Sequence, residues 1–141
     1  MEDTVKTILY SFFSEMHEWE NGNLILDDIA RDWDSRYHEF VEKEKERWSL
    51  FLEIFAKYCI GSGEPARTRS YTSLFEYSVE HEFIDKIMFV DLDLAEVETT
   101  RRLRGVTERF KYTLSRHEGT WRIVDNRLEQ NPDGSWFAAP L

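Results

Sequence analysis

Between Thr107 and Leu128 the side chains alternate with a period of two. Phe110, Tyr112 and Leu114 fall on one face, while Arg109, Lys111, Thr113 and Ser115 fall on the other. Such alternation marks a strand with one buried side. His117-Glu118-Gly119-Thr120 follows, with a glycine able to take the positive φ of a tight reversal. Trp121 to Leu128 then supplies a bulky, β-branched second arm. A lone hairpin is marginal in water, so this one predicts further strands and a cover.

The cover is predicted upstream by a different period. Val5, Ile8, Leu9, Phe12, Phe13 and Met16 draw one stripe on a helix that Asp3 or Thr4 can cap and that Asn21-Gly22-Asn23 stops. A second helical stripe from Leu24 comprises Leu26, Ile29, Trp33, Tyr37, Phe40 and Val41. Glu42 to Arg47 alternates in sign and reads as an exposed shoulder or a break between helices. Trp48, Phe51, Leu52, Phe55, Tyr58 and Cys59 form a third stripe, closed by Gly61-Ser62-Gly63. Trp33, Tyr37, Trp48 and Tyr77 are large enough to anchor an interface, but their place on these stripes favours the core for Trp33, Tyr37 and Trp48.

Residues 64–79 read as a loop, with Arg67 to Thr72 as a candidate short strand. Phe83 to Val90 is a strand, and the apolar parity slips between Leu94 and Ala95. A slip of one residue exposes a buried face, so it predicts a turn at Asp91 to Asp93 or a bulge. Gly105 serves the next turn, and Asn131-Pro132-Asp133-Gly134 another, after which Ser135-Trp136-Phe137 packs back on the sheet. The expected architecture is a single α+β domain over 1–141. Its helical part covers about 3–60, and a curved antiparallel sheet of four or more strands covers about 67–141.

Charge adds a partner to this picture. The net charge is −10, with −7 over residues 15–46, −7 over 76–98 and +5 over 99–117. An acidic surface does not suit nucleic acid, whose phosphates call for basic groups, but it does suit a basic protein steered in by the field. The basic residues of 99–117 are expected to pair across the sheet with Glu96 and Glu98. One cysteine, Cys59, excludes an internal disulfide and reads as a core thiol at the end of an apolar stripe. The acidic start and the lack of a long apolar run fit a cytoplasmic protein with no membrane partner.

Ala95-Glu96-Val97-Glu98-Thr99, Phe110-Lys111-Tyr112-Thr113-Leu114, Gly119-Thr120-Trp121-Arg122-Ile123-Val124 and Asp133-Gly134-Ser135-Trp136, set after N-terminal helices, resemble the nuclear-transport-factor-2-like superfamily. The Asp-Gly-x-Trp ending looks most like the bacterial immunity proteins of polymorphic toxin systems that share this fold. The resemblance implies a cone of helices on a curved sheet, and a protein that binds and neutralises a toxin domain. Fold alone leaves the chemistry open, because the superfamily also holds isomerases and cyclases.

An isomerase-type site would need a general base with an oxyanion hole. The residue types available for one are Tyr10, Tyr37, Asp32, Asp91 and Asp93, with no spacing that gathers them. His17, His38, His81 and His117 lack zinc spacing, and there is neither a phosphate loop nor a nucleophile elbow. No catalytic, metal or cofactor residue is therefore assigned. The residues assigned to partner binding are Asp27, Asp28, Asp32, Asp34, Glu39, Asp91 and Asp93, for a basic toxin domain. A small-molecule enzyme or binder using the cone interior is the alternative, which rings of Phe12, Trp33, Phe51 and Phe55 filling that interior would oppose. A homodimer through the sheet is compatible with either.

Overall fold

The computed structural model describes residues 1–61 and 77–141; the short strand expected at Arg67 to Thr72 lies outside them. Helix α1 (Glu2–Gly22) buries Val5, Leu9, Phe12, Phe13, Met16 and Trp19 on one side. It starts one residue before the expected caps, with Met1 at the N-cap and no side-chain bond there, so Glu2 and Asp3 meet the helix dipole from its first turn instead. A short α2 (Leu24–Ala30) buries Leu26 and Ile29, and α3 (Trp33–Tyr58) buries Trp48, Phe51 and Phe55. Of the two readings of Glu42–Arg47, the break between helices does not occur. The helix runs through it on the i,i+3 pairs Lys43–Glu46 and Lys45–Glu42. The chain instead breaks at Arg31–Asp32, with a kink at Arg36 (φ −122°, ψ 18°).

Strand β1 (Cys59–Ile60) begins where α3 ends, so the helix stops ahead of the expected glycine signal. The other strands are β2 (Glu82–Asp91), β3 (Leu94–Leu103), β4 (Val106–His117), β5 (Thr120–Gln130) and β6 (Trp136–Pro140). Their order is β1-β5-β4-β3-β2, with β6 also on β5. β1 runs parallel to β5, placing Cys59 beside Ile123, so the curled sheet is mixed rather than wholly antiparallel. The β3–β4 and β4–β5 reversals both place positive φ at two consecutive residues, Arg104-Gly105 and Glu118-Gly119. Turns of that hand match the twist of the strands they join.

The sheet's inner face presents Ala95, Val97, Phe110, Tyr112, Leu114, Trp121 and Ile123 to α1 and α3. Phe12 lies edge-on to Phe55 at 5.7 Å and to Tyr77 at 5.5 Å, which fills the space between helices and sheet with rings. Cys59 is buried in this core. On the outer face Arg109 reaches Glu98 at 3.8 Å, an instance of the expected cross-strand pairing.

Candidate functional site

The corner between α2 and α3 gathers five of the seven acids assigned from sequence. Asp27 and Asp28 stand on α2, Asp32 links the helices, and Asp34 and Glu39 lie in the first two turns of α3. The Asp32 carbonyl starts α3 by accepting from the Ser35 and Arg36 amides at 3.0 and 2.9 Å. Arg36, at the kink, organises the acids. Its Nε and Nη2 donate to both oxygens of Glu39 at 2.7 and 2.6 Å. Its Nη1 stands 3.7 Å from Asp28 and 3.9 Å from Asp32.

The Glu39 hydrogen bond raises the Arg36 pKa, and the same bond holds the Glu39 carboxyl below its ordinary range. In exposed positions such pairs add little to folding. Their effect here is to fix carboxylates in place. Residues 24–40 set five carboxylates against two arginines, a net of −3.

The same corner carries aromatic rings. Trp33 and Tyr37 are 46% and 48% exposed, a correction to their expected place in the core; Trp48 alone of the three is buried. Their spacing is that of a core stripe, but the α2–α3 break and the kink at Arg36 carry this first part of α3 off the core. Trp33 packs edge-on to Tyr37 and to Phe40, both at 5.1 Å, so the rings hold one another rather than the interior. Leu24 and Ile25 of α2 are also exposed, adding apolar surface.

Asp91 and Asp93 are not part of the corner. They flank the β2–β3 turn, where Asp91 accepts from the Asp93 amide at 2.7 Å. Asp93 takes the Arg116 Nε at 3.0 Å, and Arg116 also lies 3.6 Å from the Met1 sulfur. The turn therefore sits by the start of α1, whereas the corner follows its end. A helix of 21 residues separates these ends by about 31 Å. Of the residues weighed for isomerase chemistry, Tyr10 accepts from the Ile84 amide at 3.0 Å and Tyr37 lies on the corner, so the set does not converge. His17 meets the Tyr77 carbonyl and His81 the Ser78 hydroxyl. Among the described residues no group of three His, Cys, Asp or Glu is placed to hold a metal ion.

A buried polar network went unnoticed in the sequence. Glu82 Oε2 accepts from Thr99 Oγ1 at 2.7 Å and from the Tyr112 hydroxyl at 2.9 Å. Arg127 Nη1 donates to the same hydroxyl at 3.0 Å, and the guanidinium carbon lies 4.0 Å from the Phe110 ring centroid. Arg101 adds a bond to Glu108 at 2.7 Å. Burial raises the Glu82 pKa against the pull of Arg127, and burial raises that of Tyr112. Glu82 and Arg127 are 45 positions apart in the sequence, so no local pattern joins them. The one available signal is that Phe110-x-Tyr112 and Arg127 face each other once the hairpin register is drawn.

No helix among the described residues is long and apolar enough to cross a membrane. Comparison with curated proteins and with solved structures returns no match. A family model described as NTF2 fold immunity protein matches residues 4–139, nearly the whole chain. With helices α1 and α3 packed on a curled mixed sheet, the chain belongs to the family of NTF2-fold immunity proteins.

Proposed function

We propose that this immunity protein is non-enzymatic and neutralises a cognate bacterial toxin domain by docking its α2–α3 corner on a basic surface of that domain. Family membership implies an immunity function and a toxin partner in general. The observation that carries the finer reading is the half-exposed Trp33–Tyr37 pair on the α2–α3 corner that also bears Asp27, Asp28, Asp32, Asp34 and Glu39. Large rings surrounded by polar groups are the usual anchors of protein interfaces. Fixed carboxylates would steer a basic partner and set its orientation more than its final affinity. Because Arg36 already pins three of the acids, less side-chain freedom is lost on docking. The packing of Phe12, Phe51 and Phe55 between helices and sheet favours this surface reading over a ligand-binding interior. The protein would act in the cytoplasm of the cell that makes the toxin, blocking the toxin's active site or its access to substrate.

The test starts with affinity capture of the tagged protein from its native cells, followed by purification of the retained toxin domain. Association rates are then measured over a range of salt. Asp28→Asn/Asp32→Asn should slow association and flatten its salt dependence, while dissociation changes little. An unchanged rate and slope would remove the acidic corner as the docking surface.

A further inference from the structure

At the end of the sheet where β4 starts, charged side chains stand in a row on the inner face. Glu82 of β2 pairs in register with Arg101 of β3, and Arg101 with Glu108 of β4. One row further in, Phe110 pairs with Glu129 of β5, so Glu108 and Glu129 are diagonal neighbours on one face. Two guanidinium groups lie over the Phe110 ring, with the Arg101 carbon 4.8 Å and the Arg127 carbon 4.0 Å from its centroid.

Within this cluster the Glu108 and Glu129 carboxyl groups are hydrogen-bonded to each other. An ionised carboxylate only accepts, so the contact needs a proton between the two groups. Arg101 decides where that proton resides. Its Nη2 donates to Glu108 Oε1 at 2.7 Å, which favours the ionised form of Glu108. Glu129 is left as the protonated member, donating to Glu108. Burial pushes the Glu108 carboxyl up, but the Arg101 hydrogen bond and charge outweigh it and hold Glu108 below its ordinary range. Burial, and then the bond to Glu108, raises Glu129 against the opposing charges of Arg127 and Arg101.

Beyond the two arginines, the titratable groups around this face among the described residues are Glu82 of β2, Tyr112 of β4 and Tyr77, all wholly buried. On α1, His17 and Glu20 bond the Tyr77 backbone. The Glu108 side chain is 28% exposed and Glu129 is half-buried, so this proton exchanges with solvent without opening the core.

The pair also sits at a joint in the sheet. The β4–β5 pairing is interrupted between Tyr112 and Leu114. On the Glu129 side of that irregularity, β5 is held to β4 by Phe110↔Glu129, Lys111↔Leu128 and Tyr112↔Arg127. The same piece of β5 carries β6, which has no other strand partner among the described residues.

We infer that Glu108 and Glu129 form a proton-operated clasp: one shared proton fastens the β5–β6 end of the sheet to β4, and its loss loosens that end. With the proton present the carboxyls attract; without it, two like charges face each other across the strands. A carboxyl whose folded pKa is raised supports the fold fully below its ordinary value, and that support fades as pH rises through the folded pKa. The inference is independent of the toxin reading, since the α2–α3 corner lies on the helices.

Carbon-13 NMR of the glutamate carboxyls, with amide hydrogen exchange, tests it between about pH 4 and about pH 8. The Glu129 carboxyl should titrate above the ordinary glutamate range, with a matching step in the Glu108 signal at the same pH. Over that step the β6 amides should lose protection, after correction for intrinsic exchange, while those of the Leu114–Ile123 stretch keep theirs. Glu129→Gln keeps a donor toward Glu108 and has no proton to lose, so β6 should stay protected throughout. Glu108→Gln removes the ion that holds the proton and should return Glu129 toward its ordinary range. A Glu129 that titrates in that range in the wild type, a β6 whose protection is level through the step, or a loss that survives Glu129→Gln unchanged would each overturn the clasp.

Discussion

Replacing Tyr112 by Phe removes one oxygen from the buried network and leaves the ring in place. Tyr112 is wholly buried and packs 5.4 Å from Phe13, contacts that phenylalanine keeps. The hydroxyl both donates to Glu82 Oε2 and accepts from Arg127 Nη1. Bonds to charged partners are worth about 1.5–3 kcal/mol each. Glu82 Oε2 retains Thr99, so the first loss is partly cushioned, while the Arg127 guanidinium keeps its place over Phe110. The expected loss is therefore about 2–4 kcal/mol, not the sum of two full bonds. In thermal unfolding this is a drop of roughly 8–15 °C. Urea denaturation at neutral pH, with the slope m unchanged, measures it directly. The exposed Tyr37→Phe is the control and should change stability by less than about 0.5 kcal/mol. If Tyr112→Phe is as mild as Tyr37→Phe, the network carries no coupled energy and the account of the buried charges is wrong.

Three further outcomes follow from the same structure. Burial raises the folded Glu82 pKa above its ordinary value of 4.5. Its contribution to stability is thus complete below that value and is lost as pH rises through the folded pKa; Glu82→Gln should remove this part of the pH slope in urea titrations. Phe12→Ala empties a fully buried site beside Phe55 and Tyr77 and should cost about 3–5 kcal/mol by the same titration. Gly119 has φ +81° and open space where a Cβ would stand, so Gly119→Ala should cost about 1–2 kcal/mol through backbone strain alone, read as a lower melting temperature.

The strands were legible where local chemistry sufficed. Period-two alternation located β4 and β5, and Gly105 and Gly119 marked their turns, because a two-residue reversal demands positive φ that few other residues supply. The stripe of α1 was likewise readable. What failed was the inference from stripe to core. Trp33, Tyr37 and Phe40 have helical spacing identical to that of a buried face, and spacing cannot say what lies opposite. The kink at Arg36 and the break at Arg31–Asp32 are tertiary outcomes with no strong helix breaker in the sequence. The parallel pairing of Cys59 with Ile123 and the meeting of Glu82 with Tyr112 join distant segments, so no window could show either.

The candidate site was half visible. Its acids were legible as charge, and five of the seven lie together, but the grouping of Asp91 and Asp93 with them was not, since sequence holds no distance along α1. Trp33 and Tyr37 were open to either reading, and helical spacing weighed the wrong way, toward the core. Exposure, not residue type, separates a surface ring from a core ring.

The most direct test of the account is calorimetric titration of the purified toxin domain into the wild type and Trp33→Ala. Trp33 is an exposed ring held by Tyr37 and Phe40, so its loss should leave unfolding nearly unchanged. It should weaken toxin binding by roughly 30-fold or more, as removal of a central anchor does. Asp91→Asn/Asp93→Asn, at the far end of α1, should bind as the wild type does. Full affinity in Trp33→Ala, or a loss confined to the Asp91/Asp93 variant, would contradict docking through the α2–α3 corner.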